Sequence, residues 1–351
     1  MPTPTIPDGE LFFNATLYTG NGGTQTVANG VAGQNFQPNL VWIKTRSTTG
    51  NNNLFDSIRG ASNYLFSNST SAETFYSGFG VTGFASNGFT LTDDSGGGYG
   101  VNGNGITYVG WNWKAGGAAV TNTAGTISAQ VSANTTSGFS IVTYTGNATS
   151  GATVGHGLGV APSFIIAKNR NNGATDWPTY HVSTGNNGGC TLNETAAKAT
   201  TAIWWNNTTP SSTVVTLGNG AQTNGSGNGI VLYCWASIDG YSAFGSYTGN
   251  GSTDGPFLYM GFRPRFYMYK RADSTSNWVI MDTSRNPFNT AGKWLYPNLV
   301  NAENDVVSTD QWDFLSNGLK VRSNGSATNA SGGTYIYAAF AENPFKYANA
   351  R

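Results

Sequence analysis

The tetrapeptide YTGN occurs at 18–21, 144–147 and 247–250, and the sequence downstream of each copy repeats as well. Each copy is followed by a proline, a run of apolar or aromatic residues and a lysine. The lysine stands six residues after the proline in all three copies: Pro38 and Lys44, Pro162 and Lys168, Pro264 and Lys270. A spacing kept three times predicts a triplicated module of roughly a hundred residues, because chance matches between frequent residue types would not preserve the spacing.

The ends of the three copies also agree, since each runs from a polar turn into an apolar stretch. These ends are NGNGITYVGWNWKAGG (102–117), NGSGNGIVLYCWASIDG (224–240) and NASGGTYIYAAFAENPF (329–345). The stretch 118–137 has small polar residues and no aromatics, which is typical of a linker or of a weakly packed crossing strand. The predicted organisation is an extended N-terminal arm at 1–10, modules at 11–117, 138–240 and 241–351, and that stretch at 118–137.

The apolar runs inside each copy are short, rich in β-branched and aromatic residues, and bounded by Gly, Asn and Ser. Such runs predict strands rather than helices. The runs after the three prolines are almost continuously apolar, so we expect them to be buried on both faces, with the terminal lysine reaching solvent. Only residues 193–202 could hold a helical turn or two. The predicted fold is all-β, with three tandem β-sandwich modules of jelly-roll or lectin-like layout.

Composition excludes several classes of protein. Aromatic residues make up 13% of the chain, which is typical of a folded protein rather than a disordered one. Lys plus Arg and Asp plus Glu are equal at 17 each, so the charge pattern expected of a nucleic-acid partner is missing. We expect no membrane insertion, because no apolar run reaches the ~18–20 residues of a membrane helix. No secretory signal is recognised, and Cys190 and Cys234 are predicted to be free, buried thiols.

An acid and a base three residues apart recur between the first and third copies, as Asp56 with Arg59 and Asp282 with Arg285. The favoured interpretation is a structural ion pair that fixes a loop, and the alternative is a site for a ligand carboxylate or hydroxyl. The second copy carries His181 near the corresponding position.

Groups suited to catalysis are scattered. The acid clusters at 93–94, 303–305 and 310–313 lie in turn-like sequence, where Asp commonly bonds the backbone. His156 and His181 have no Cys or His neighbours at metal-ligand spacing. We therefore expect no catalytic residues, no metal and no cofactor, and we predict that the protein is not an enzyme.

Four tryptophans lie in polar sequence that differs between the copies: Trp204, Trp205, Trp294 and Trp312. Exposed aromatic rings there would stack on sugars or contact another protein. Burial in the core or in a subunit interface is the favoured alternative, because large apolar residues in small β domains are normally buried.

Residues 132–170 and 247–347, with their YTGN, Pro-to-Lys and terminal-strand motifs, resemble repeat modules of virion proteins from tailed bacteriophages. Such modules are common in phages of marine bacteria, including cyanophages. The resemblance implies a non-enzymatic virion protein of the tail-fibre or receptor-binding type, located on the tail or capsid surface. Its expected partners are further copies of itself in a homotrimer, other virion proteins and a host cell-surface glycan.

Two other functions remain open from the sequence. A structural or capsid-decoration protein would use the proline-rich arm to attach to the particle. A depolymerase tailspike is the third alternative, which the hundred-residue period does not favour because solenoid repeats are ~20–50 residues long.

Overall fold

A computed structural model describes residues 6, 8–30, 33–92, 100–306 and 311–344. Residues 342–344 are described by their backbone alone. Strands account for 43% of the structure and helices for 3%, so the all-β prediction is confirmed. The strands fall into three consecutive parts of the chain, which we call the first segment (6–117), the second segment (118–240) and the third segment (241–344). No sheet in the described part of the chain combines strands of two segments.

The first segment begins with a short 3-10 helix, η1 (Gly9–Leu11), and contains nine strands. They are β1 (Phe13–Thr19), β2 (Gln25–Ala28), β3 (Leu40–Thr45), β4 (Asn52–Asp56), β5 (Asn63–Phe66), β6 (Thr74–Phe75), β7 (Val81–Ala85), β8 (Gly88–Leu91) and β9 (Thr107–Trp113).

The second segment contains the next strands and one helical turn, α1. They are β10 (Val120–Asn122), β11 (Ala129–Asn134), β12 (Phe139–Thr145), β13 (Thr153–Gly155), β14 (Phe164–Asn169), β15 (Thr179–His181), β16 (Gly188–Gly189), β17 (Ala199–Thr200), β18 (Val214–Thr216), α1 (Ala221–Asn224) and β19 (Gly229–Trp235).

The third segment completes the chain with a second helical turn, α2. Its elements are β20 (Ser242–Thr248), β21 (Phe257–Tyr259), β22 (Phe262–Arg271), β23 (Trp278–Asp282), β24 (Lys293–Trp294), β25 (Asn304–Asp305), β26 (Trp312–Leu315), β27 (Gly318–Val321), α2 (Ser326–Asn329) and β28 (Thr334–Pro344). The helical turn predicted within 193–202 is wrong, since that stretch is irregular except for β17.

Each segment is built from two antiparallel layers with the same strand order. The main sheets contain the series β1-β9-β3-β4, β12-β19-β14-β15 and β20-β28-β22-β23. The small sheets are β2-β8-β7, β13-β18 and β21-β27-β26. The strand at each repeated proline lies between two other strands of its main sheet, which explains its continuous apolar sequence. Descent of the segments from one duplicated module, and a jelly-roll or lectin-like layout, stay predictions.

Side-chain alternation along the central strand serves two cores at once. In β3, Leu40 and Trp42 point toward a core shared by all three segments, whereas Val41 and Ile43 point toward the small sheet of their own segment. The period of two along a strand produces this division directly. All four side chains are buried, so the predicted burial on both faces is confirmed for this strand.

The shared core is centred on three aromatic residues at equivalent strand positions. The ring centroids of Trp113 and Trp235 are 5.9 Å apart, those of Trp113 and Phe340 are 5.7 Å apart, and those of Trp235 and Phe340 are 6.4 Å apart. Each ring comes from the last strand of one segment's main sheet. The three segments therefore meet around a common centre, with a small apolar cavity beside these rings.

The structure explains why YTGN is repeated. The phenols of Tyr18, Tyr144 and Tyr247 each donate to a backbone carbonyl just before the terminal strand of the same segment. The glycine of the motif has no room for a side chain, because a Cβ on Gly20 would lie 2.3 Å from the carbonyl oxygen of Gly103. The motif thus closes each segment by tying its first strand to its last connection.

Two predicted boundaries need correction. Residues 118–137 do not form a linker, because β10 and β11 extend the main sheet of the second segment through pairing with β12. The crossing-strand alternative is nearer the structure, although there are two strands and Val131 is buried in the core. In the predicted extended arm, Ile6 is fully buried and Asp8 caps η1, so residues 6 and 8–10 belong to the folded body. Residues 1–5 and 7 lie outside the described residues.

Candidate functional site

The Asp282–Arg285 pair lies at the interface between the first and third segments. The Nε of Arg285 is 2.7 Å from Oδ2 of Asp282, and both side chains are fully buried. The indole Nε1 of Trp111, from the first segment, donates to the same oxygen at 3.0 Å. Arg285 also donates to the carbonyl oxygens of Ile280 and Lys293. These bonds fix the loop after β23, as expected for a structural ion pair.

The Asp56–Arg59 pair repeats this arrangement between the first and second segments. Nε of Arg59 is 2.5 Å from Oδ2 of Asp56, again with both side chains fully buried. The phenol of Tyr233, from the second segment, donates to that oxygen at 2.7 Å. Tyr233 and Trp111 occupy equivalent positions in β19 and β9. Neither carboxylate is open to a ligand, because both are fully buried and already accept bonds from protein donors.

His181 takes the place of the aspartate at the interface between the second and third segments. It pairs with Phe164 in the sheet, as Asp56 pairs with Leu40 and Asp282 with Phe266. Its Nε2 lies 3.0 Å from the carbonyl oxygen of Tyr337 in the third segment, and its Nδ1 accepts from the backbone N–H of Ser183. Burial lowers the pKa of His181 to about 4, so the ring is neutral near pH 7.

Two glutamates reinforce two of the three interfaces. Glu303 forms a bidentate ion pair with Arg46 of the first segment, at 2.9 and 3.0 Å, and also contacts Arg285. Glu73 does the same with Arg170 of the second segment, at 3.0 and 2.6 Å, and contacts Arg59. Burial alone would raise the pKa of both glutamates, but the neighbouring arginines lower it overall.

Among the described residues, the third interface has the same backbone contact without an ion pair at these positions. The backbone N–H of Glu303 donates to the carbonyl oxygen of Arg46, and that of Glu73 donates to the carbonyl oxygen of Arg170. At the third interface, between the second and third segments, the backbone N–H of Lys198 donates to the carbonyl oxygen of Ala272 at 2.8 Å. Lys198 and Ala272 therefore stand where the other interfaces have a glutamate and an arginine.

The three repeated lysines are buried, so the prediction that they reach solvent is wrong. Each Nζ donates to a carbonyl oxygen of the neighbouring segment: Lys44 to Val300, Lys168 to Thr70 and Lys270 to Thr195, at 3.0, 2.7 and 3.1 Å. Each also donates to a second carbonyl of its own segment. Burial lowers their pKa values to about 7, 8 and 8, respectively.

The bonds from the repeated lysines run in one direction around the molecule, from the second segment to the first, from the first to the third and from the third to the second. The phenol of Tyr233 and the indole of Trp111 follow the same direction, whereas His181 and the backbone N–H groups of Glu73, Glu303 and Lys198 donate in the opposite one. The indole of Trp177 donates to the carbonyl of Ser69, and the indole of Trp278 donates to that of Thr191, in the same direction as the lysines. The three segments thus close into a ring held by recurring bonds.

The four tryptophans considered as ligand-binding residues are not exposed. Trp204 and Trp205 pack between the two layers of the second segment. Trp294 and Trp312 pack in the third segment against Tyr269. Their exposed fractions are 6, 0, 4 and 0% in sequence order. The expectation of exposed rings at these positions is therefore wrong, and burial in the core is what the structure shows.

The remaining sequence candidates are also enclosed by protein. His156 bonds the backbone of Ser211 and Leu158 inside the second segment. Cys190 and Cys234 are free and buried, and burial raises their pKa values to about 11 and 12. Among the described residues, no group of three or more His, Cys, Asp or Glu is placed to hold a metal ion. Asp93, Asp94 and Asp310 lie outside the described residues.

Among the residues that the structure describes, exposed large apolar side chains are few and scattered over the three segments. Three of them are aromatic and lie in the third segment: Phe257, Tyr259 and Phe288, with exposed fractions of 45, 66 and 81%. Another, Phe75, lies in the first segment and is 62% exposed. The sequence does not distinguish these exposed aromatic residues from buried ones, because the residues next to them in the chain are of the same kind.

The family model that describes a domain of unknown function, DUF7483, matches residues 8–344. The chain belongs to this DUF7483 family. The match spans all three segments, so the family unit is the whole ring rather than one of its parts. No curated protein and no solved structure matches the chain. No helix in the described part of the chain is long and apolar enough to cross a membrane.

Proposed function

We propose that this DUF7483 protein is a non-enzymatic virion protein of a tailed bacteriophage, of the tail-fibre or receptor-binding type. The observation that carries the proposal is the use of the repeated charged residues. Asp56, Asp282 and their arginines hold the ring together, and the repeated lysines do the same. Because these charged side chains hold the fold together, they support the interpretation of the chain as a scaffold that presents loops and sheet faces to a partner.

The resemblance of 132–170 and 247–347 to phage virion modules supports the same proposal, and with it a location on the tail or capsid surface. Several copies on one particle would multiply a weak affinity for the host surface. A homotrimer stays our prediction for the assembled protein. Sedimentation of the purified chain tests it, since one copy has a mass of 36.9 kDa and a trimer three times that mass.

Immunogold labelling of particles of the phage that encodes this chain tests the location. Label at the tail tip is the expected result. Label spread over the capsid would replace adhesion with the decoration alternative. Particles without label, in a lysate that contains the soluble chain, would contradict the virion proposal altogether.

Attachment through the N-terminus is best tested with a deletion shorter than the predicted arm at 1–10. Removal of residues 1–10 would take away Ile6 from the core and the Glu10–Arg265 ion pair, so folding would change with attachment. Removal of residues 1–5 leaves both in place. We expect this variant to melt like the parent chain and to be absent from particles. Incorporation at the normal level would rule out the arm as the attachment segment.

A further inference from the structure

The outer face of the small sheet in the third segment differs from its counterparts. On β21, Phe257 and Tyr259 point outward and Leu258 points into the core, with exposed fractions of 45, 66 and 5%. The two exposed rings are two residues apart on one strand, so they stand side by side about 7 Å apart.

Strand register identifies the equivalent positions in the first segment. Phe257 pairs with Lys320, whereas Thr26 pairs with Thr90 at the same place in the sheet. Tyr259 and Ala28 each pair with the glycine that starts the next strand, Gly318 and Gly88 respectively. The first segment therefore shows that this sheet forms without aromatic rings on its outer face.

Charged side chains lie beside Phe257, since Lys320 is its partner on β27 and Asp313 pairs with Lys320 on β26. Nζ of Lys320 is 2.7 Å from Asp254, and Nε of Arg322 is 2.6 Å from Asp313. Arg322 also approaches Asp254, at 3.8 Å. Two acids and two bases compensate each other, so the face offers donors and acceptors without a net charge that would select phosphate or a charged polymer.

We propose that Phe257 and Tyr259, together with Asp254, Lys320, Arg322 and Asp313, bind a neutral saccharide. The apolar C–H face of a sugar ring packs on an aromatic ring, and sugar hydroxyls both donate to carboxylates and accept from cations. The proposal rests on the proposed adhesive function and assigns its glycan site to one face of the third segment.

The size of the face supports a saccharide over a protein partner. A buried aromatic side chain covers 150–250 Å², so two rings that are about half exposed offer roughly 250 Å². A stable protein interface needs about 800 Å² on each partner. One or two sugar rings match the smaller area, and multiple copies on a particle would compensate for the weak binding of each site.

Affinity electrophoresis in gels that contain dextran, yeast mannan or galactomannan tests the proposal with defined neutral polysaccharides. We expect the parent chain to be retarded in at least one gel. The variant Phe257→Thr with Tyr259→Ala, which copies the first segment, should lose at least tenfold in apparent affinity at an unchanged melting temperature. The matched control Phe75→Ala removes an exposed ring elsewhere and should keep full retardation.

Three outcomes would overturn the proposal. Equal retardation of the double variant would exclude this face, and free migration of the parent chain in every gel would exclude a neutral saccharide. A change of sedimentation in the double variant would make the face a contact between copies. None of these results decides the particle location, which the immunogold experiment tests separately, so failure of the site and failure of the adhesive function are distinguishable.

Discussion

The phenol of Tyr233 donates a 2.7 Å hydrogen bond to the carboxylate of Asp56, which lies 177 residues away in the sequence. The carboxylate is completely buried and also holds Arg59. A buried ion pair is therefore completed by a donor from another segment. The same relation between Trp111 and Asp282 couples the next interface. The carboxylates of Asp56 and Asp282 therefore fix a loop within their own segment and also bind the neighbouring segment.

Replacement of Asp282 by asparagine should destabilise the protein strongly. Arg285 would lose its buried countercharge, and a broken buried pair costs about 3–5 kcal/mol. Urea unfolding measures the loss. Asp273→Asn, at the exposed pair with Arg271, is the matched control and should cost about 1 kcal/mol or less. Equal losses in the two variants would show that the buried pair contributes nothing special.

Replacement of Lys168 by methionine should also reduce stability. Methionine fills much of the space, but the carbonyl oxygens of Thr70 and Thr175 would lose their donor in a buried place. Each unsatisfied buried acceptor costs about 1–3 kcal/mol. Lys198→Met removes a lysine whose Nζ bonds Asn187 at the surface and should change little. Thermal melting of both variants makes the comparison, and a stable Lys168 variant would contradict it.

Mild acid should weaken the interface between the second and third segments. The neutral His181 ring uses one nitrogen as donor and one as acceptor, so a second proton removes the bond from Ser183. Its pKa of about 4 lies below the usual 6.5, so the unfolded chain binds the extra proton first as pH falls. Stability is complete above pH 6.5 and should drop by about 2.5 kcal/mol at pH 4.5.

Chemical unfolding at several pH values measures this drop. His181→Asn retains a donor for the Tyr337 carbonyl without a titrating group, so its unfolding free energy should vary less with pH. His156 remains in both proteins and serves as an internal reference, because burial also lowers its pKa. The same pH profile in variant and parent would assign the acid sensitivity elsewhere.

The interface without an ion pair can be given one. Ala272→Arg combined with Lys198→Glu copies the residues that face each other at the other two interfaces. A double-mutant cycle should show a favourable coupling of about 1 kcal/mol, since the equivalent arginines are half-buried. Coupling near zero would mean that the backbone at this interface places the two positions differently.

The strands were predictable because each needs only local sequence. The Pro-to-Lys spacing located β3 and β14 well, and the three-residue spacing of Asp282 and Arg285 predicted a pair that the structure contains. In the third segment, β22 begins at Phe262, two residues before the proline, and Pro264 lies at an irregularity in strand pairing. Proline is tolerated there because a bulge needs no ladder hydrogen bond from its nitrogen.

The interfaces were not predictable from local pattern. Lys44 reads as the polar end of a strand, and nothing near it shows that Val300 supplies its partner. Trp294 and Trp312 lie in polar sequence but are covered by aromatic residues distant in the chain. Phe257 and Tyr259 read as core residues and are exposed. For Lys44 and the two tryptophans the deciding contact is long-range, and the local sequence carries no signal for it.

The ring of three segments has a consequence for how such a surface can change. In a body made of three identical chains, every substitution is repeated on all three sides. Here one chain supplies all three sides, so a mutation alters one side and leaves the sequence of the other two unchanged. Phe257 and Tyr259 stand in the third segment at the positions that Thr26 and Ala28 occupy in the first. The surface of one third of the molecule can therefore change in evolution while the other two thirds keep their own sequence.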